Sequence, residues 1–419
     1  MDGKPKWRRT RSLPHLHASD IDAVFKAMLT ESDDSPERAV VALMNKYNFS
    51  FPMLLLYLED NLERQINFSI LTSRDIETCL NQPFNLRYLS QFQVHRARLP
   101  TSVFKDIISD MDLLMRQFAG PMWLSTYVEE RARSIAPIFN RIAGQFNSHI
   151  ANSLESVMTS FLKEGIVKDR DRLVSRFKAF GIIVLVVIEI RTMPIGDAYY
   201  DCLAHLFAEC DACDCENLYS GIFHRPSIPI HAILTDGQQF VFFRFDASTQ
   251  PPVLQQGTLR SVSPAGLSST YDGSLDVMLH LDRIGYLCSF RPICETVFYI
   301  VQLGFLRGMQ LHYFQHMMIT LRDGGTMADF RKDRERNAWR DADDVARDAL
   351  DLGVQAAVEA RGGGEDADED ARVAAANDKA RRAWDMIQES IDALPANYKK
   401  PERKYSIMCD WDERRVDRA

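Results

Sequence analysis

Between residues 181 and 246 the hydrophobic pattern changes period several times, and each change predicts a different element. Ile182-Ile183-Val184-Leu185-Val186-Val187-Ile188 is an unbroken apolar run, mostly β-branched, set between Gly181 and Pro194. It is too short for an ordinary helix and apolar on both faces, which predicts a fully buried central strand. Residues 173–180, just before it, fit a hairpin partner. From residue 197 to 217 the apolar positions Tyr199, Cys202, Leu203, Leu206, Phe207 and Cys210 follow the spacing of a one-sided helix, with Asp197 placed as its N-cap. Residues 228–234 and 240–245 then read as two strands joined at Asp236-Gly237, a dipeptide suited to a tight turn with positive φ.

At the end of the buried run the pattern breaks. Glu189 and Arg191 are two residues apart, hence on one face of a strand, in a place where charge is costly to bury without a partner. An acid and a cation so spaced at a strand end, followed by a helix and a hairpin, resemble the second core strand of the PD-(D/E)XK nuclease superfamily, the restriction-endonuclease-like fold. Thr235-Asp236-Gly237 before an aromatic strand looks like a phrase of its fungal and Crinkler-like members. The resemblance covers about residues 120–246, under a third of the chain.

This resemblance implies a fold of mixed α+β and α/β character: a small mixed restriction-endonuclease-like sheet flanked by helices, with helical N- and C-terminal extensions. It also implies Mg²⁺ bound by the acid, with the cation orienting the attacking water beside the scissile phosphate. Glu189 matches the acid, but Arg191 stands where lysine is usual, and a guanidinium can clamp phosphate without ever acting as a base. The family's Pro-Asp near the start of the hairpin partner is missing. Of the nearby Asp169 and Asp171, Asp171 is the choice for that second metal ligand, set against a plain solvated charged turn. The helix preceding the sheet, residues 122–146, offers Glu130 or Glu129 to complete the acidic set, set against a pair of exposed helix glutamates.

Around this core, residues 1–18 form a basic arm, expected to be disordered, with Lys4, Lys6, Arg8, Arg9 and Arg11 around Trp7. Residues 19–118 read as helical, 119–247 as the nuclease-like core, and the Pro-, Ser- and Gly-rich 248–273 as a linker. Residues 274–321 read as a helical region packing on the core, where Gly304 and Gly308 permit a close approach. Beyond them, 322–419 is dominated by Asp, Arg, Glu and Ala. It predicts two charged helices, 338–360 and 371–391, weakly packed, partly disordered and separated by a break at Gly362-Gly363-Gly364.

Composition narrows the classes further. A chain of 419 residues that is 46% hydrophobic can bury a sizeable core, and its formal charge of −8 argues against a protein that coats nucleic acid. The opening residues lack the apolar segment of a secretory signal, and the longest apolar runs fall short of the roughly 20 residues of a membrane span. A soluble intracellular protein is expected, with no membrane partner and with the basic arm as a nuclear address. The 8 cysteines are then reduced thiols. Cys210, Cys213 and Cys215, with His205 and His224 nearby, crowd one helix end rather than forming the two spaced pairs of a zinc site. His312 and His316 lie one turn apart among Leu311, Tyr313 and Phe314, which reads as packing.

Two functions follow from the resemblance. One is a catalytically degenerate nuclease fold that binds nucleic acid, or a protein through its helical flanks; Arg191 and the missing Pro-Asp favour it. The other is a Mg²⁺-dependent endonuclease in which Glu189 and Asp171 hold the metal, Arg191 clamps phosphate and Glu130 completes the cluster; the acid at a buried strand end favours that one.

Overall fold

A computed structural model describes residues 89–117, 128–153, 172–190, 193, 197–219, 228–249, 252–259, 269–270, 272–274, 283–322, 334–361 and 369–395. In chain order the elements are β1 (Ser90–Gln93), α1 (Thr101–Gln117), α2 (Val128–Gly144), β2 (Ile150–Ser153), β3 (Arg172–Ala179) and β4 (Ile182–Ile190). Then come α3 (Asp197–Tyr219), β5 (Ile230–Thr235), β6 (Gln239–Asp246), β7 (Val253–Leu259), β8 (Ser269–Thr270) and β9 (Asp272–Ser274). Three long helices end the described chain: α4 (Arg283–Arg322), α5 (Arg334–Arg361) and α6 (Glu369–Ala393).

The protein is a mixed α+β fold built on one open sheet. The path of that sheet runs β1-β7-β6-β5-β4-β3-β2, with β8 beside β7 and β9 beside β6. β4 and β5 are parallel, as their connection through a helix requires, and β1 lies parallel to β7; the other neighbours are antiparallel. All nine residues of β4 are buried, which is why the run shows no alternation in sequence. Its hairpin with β3 turns at Phe180-Gly181, both at positive φ (50° and 81°), the conformation of a primed two-residue turn. The strain of positive φ at a phenylalanine is offset by packing: the Phe180 ring stacks on His149 and meets Phe305 and Trp339.

One irregularity in β4 decides what faces what. Leu185 pairs with Phe177 and Ile183 with Lys178, so Val184 is an extra residue, a bulge. Before it, Ile182 faces the core shared with α4; after it, Leu185 and Val187 do, while Ile183, Val186, Ile188 and Ile190 face α3. Glu189, in phase with Leu185 and Val187, is thereby turned toward the α2 and α4 side. Next to the bulge, the backbone of Ile183 lies beyond the stretch of β4 paired with β5. Asn217 of α3 completes it: its amide donates to the Ile183 carbonyl and its carbonyl oxygen accepts from the Ile183 N–H, both at 2.8 Å.

The second face of the sheet is covered by α4. A Cβ on Gly304 would lie 2.7 Å from a Val184 methyl, and one on Gly308 would lie 2.8 Å from the Ala179 carbonyl oxygen, so at these two positions the helix touches the sheet, in keeping with a core helix packed on the sheet. Residues 284–314 of this helix are long and apolar enough to cross a membrane by length and composition, contrary to the expectation from uninterrupted apolar runs; most of that apolar window is packed inside the protein.

Three further expectations change. The region read as helical before residue 118 contributes β1 to the sheet, and the stretch read as a linker supplies β7, β8 and β9. These strands are short or rich in Gln, Ser and Thr, so hydrophobic alternation does not announce them. The charged tail is not weakly packed in its described part. α5 and α6 form a hairpin whose inner side buries Trp339, Ala342, Ala346, Ala349, Ile387 and Ile391 in the main core. Small alanines do much of the burying, and Lys379 pairs with Glu359 from one helix to the other. The basic arm and the Gly362-Gly363-Gly364 break lie outside the described residues.

Candidate functional site

The candidate site lies where the parallel strands β4 and β5 end side by side. Glu189 is one residue from the end of β4, opposite Thr235, the last residue of β5. It is 6% exposed, and its Oε2 has no hydrogen-bond partner. Burial therefore pushes its carboxyl up to about 8, so the group is mostly protonated at neutral pH.

The turn after β5 is held by its own side chains. Asp236 Oδ1 accepts from the backbone N–H of Gln238 and Gln239, and Oδ2 accepts from Met193 N at 3.0 Å, tying the segment after β4 to the end of β5. Thr235, fully buried, accepts from Gly237 N through Oγ1. Gly237 takes φ 84°, the positive value expected from its sequence context. Asp236 is thus employed as a turn clamp, with three backbone donors on its carboxylate, which suits it poorly to a metal.

From the other side the first turn of α2 approaches. Arg131 donates from Nη1 to the Asp236 carbonyl at 3.1 Å. The sequence pointed to this helix for its glutamates, but the side chain that reaches the strand end is that of Arg131; Glu130, its neighbour, is half-buried, and the side chain of Glu129 lies outside the described residues. Asp171 and Arg191 also lie outside them, as does Asp169. Of the four residues singled out as catalytic, then, Glu189 and Glu130 are placed, on elements that converge at one end of the sheet. Thr235 and Asp236 stand in the sequence as a turn signature and as part of the family-like phrase, without a site role, and Arg131 is not singled out there because a lone arginine in a helix carries no spacing signal.

Among the described residues no group of three or more His, Cys, Asp or Glu side chains is disposed to hold a metal ion. Cys210 and Cys213 are buried thiols of α3, and burial pushes Cys210 well above the usual thiol range, so it stays neutral and serves packing. His312 packs against Phe180 and Trp339. No protein family, no curated protein and no solved structure matches this chain.

Proposed function

We propose that this chain is a nuclease-fold protein of the PD-(D/E)XK type that has lost its metal chemistry and works as a module binding nucleic acid, or a protein on its helical flanks. The observation that carries this reading is the state of Glu189. A carboxyl 6% exposed and pushed up by burial to about 8 favours the neutral form over the anion a hard cation requires, and among the described residues no group of three or more His, Cys, Asp or Glu is disposed to share one. The order of strand, helix and hairpin around Glu189 agrees with the resemblance, as does its place at a strand end.

A second reading rests on one atom. Glu189 Oε2 is buried without a hydrogen-bond partner, and Mg²⁺ held by Glu189 and Asp171 would make the chain an endonuclease with Arg191 on the scissile phosphate. The purified protein with labelled DNA and RNA, with Mg²⁺, Mn²⁺ or chelator, separates the two. Binding without cleavage, unchanged in Glu189→Ala, supports the module. Metal-dependent cleavage abolished in Glu189→Ala establishes the enzyme, and Arg191→Lys would then raise activity. Neither binding nor cleavage removes nucleic acid and leaves the protein partner.

A further inference from the structure

Some four residues back along β5 from Thr235, roughly 13 Å by strand rise, the same face of the sheet carries a second polar group that the fold does not need. His231, Arg244 and Gln255 stand opposite one another across β5, β6 and β7. Directly opposed residues project to one side of a sheet, and here it is the side of α4, since Ile233 and Phe242 of the same strands join its core. Arg307 of α4 faces this row: the charge of Arg244 acts on it, and both charges act on His231.

Two guanidiniums brought together on one face normally demand acceptors, and the acceptors present do not suffice. Asp246 is the nearest carboxylate, 3.5 Å from Arg244 Nη2, and its other oxygen accepts from Ser248 N and Oγ. Buried Arg244 Nε and Arg307 Nη1 still have no hydrogen-bond partner. Tyr299 faces the pair as a neutral phenol, raised by burial, and Asp351, which also acts on Tyr299, is exposed to solvent. His231 is 4% exposed; burial first, then Arg307 and Arg244, push its imidazole down to about 3, so it adds no charge. Arg244 leaves about a third of its side chain in solvent, which gives the pair an outlet.

We infer that Arg244 and Arg307 form a binding site for a phosphate group, on the same sheet face as Glu189 and independent of it. Planar guanidiniums with spare N–H donors match the oxygens of a tetrahedral dianion, and a partly desolvated setting strengthens each charge-assisted bond. The phosphate can be free or the terminal group of a nucleic acid strand.

The test uses the full chain. Orthophosphate should raise its melting temperature at low ionic strength in a saturable way, with a dissociation constant of about 1 mM or tighter. Arg307→Gln and Arg244→Gln should each weaken that binding by about tenfold or more, while Glu189→Gln leaves it unchanged. Should Arg307→Gln fail to fold by circular dichroism, Arg244→Gln, at a partly exposed position, decides alone. A 5′-phosphorylated oligonucleotide that competes with orthophosphate better than its 5′-hydroxyl twin assigns the group to a strand end; equal behaviour assigns it to a small anion. Absence of any orthophosphate shift in the folded wild type, or an equal shift in Arg244→Gln, overturns the site.

Discussion

At the scale of single residues, the proton on Glu189 links stability to pH. Its folded value is about 8 against an ordinary 4.5, so between those limits the native chain holds a proton that the unfolded chain has released. Raising pH through that window therefore favours unfolding, and the loss levels off above about 8. Its size is on the order of a few kcal/mol, since each unit of difference is worth about 1.4 kcal/mol. Urea unfolding from pH 5 to pH 9 should show this decline, and Glu189→Gln should flatten it; an equally steep decline in the variant would place the linked proton elsewhere. The acid itself was legible in the sequence, as a charge that ends an apolar run. Its protonation was not, because that depends on cover supplied by α2 and α4, both distant along the chain.

At the scale of elements, strand, helix and hairpin from β4 to β6 were legible because each has a clean period or none at all. The bulge at Val184 was not, since arguments from alternation assume regular pairing, and one added residue sends Glu189 to the other face. Two substitutions test how firmly these elements are held. Asn217→Ala strips both partners from the buried Ile183 backbone and should cost about 2–4 kcal/mol in equilibrium unfolding. Gly308→Ala should destabilise by about 1–3 kcal/mol, although helix propensity alone would favour alanine by about 1 kcal/mol, because the new methyl meets the Ala179 carbonyl rather than a side chain that can yield. A neutral result for either would show that the backbone there relaxes.

For the whole molecule, the acidic tail is structural. Trp339 is 2% exposed and stands against His312, Tyr313 and Phe180, so α5 closes the far side of the core over α4 and the β3–β4 turn. Trp339→Ala should cost about 3–5 kcal/mol, measured by chemical denaturation, and limited proteolysis should spare 334–361 and 369–393; a full-stability Trp339→Ala would mean the hairpin is only an appendage. Its charge-rich composition hid this, because the hairpin packs through alanines, which weigh little in any count of large apolar residues.

The strand β1 has a further effect, on the order in which the chain can assemble. It lies parallel to β7, Val94 N donates to the Thr258 carbonyl, and Arg98 N donates to the Gly353 carbonyl. These bonds join positions very distant in sequence, and closing such loops comes late and slowly. During synthesis, residues 90–98 emerge long before either partner and keep an unpaired strand edge until residue 259, then residue 353, has left the ribosome. Pairing of this edge strand is therefore deferred until well after it has emerged, and it is the segment for which an early chaperone contact matters most.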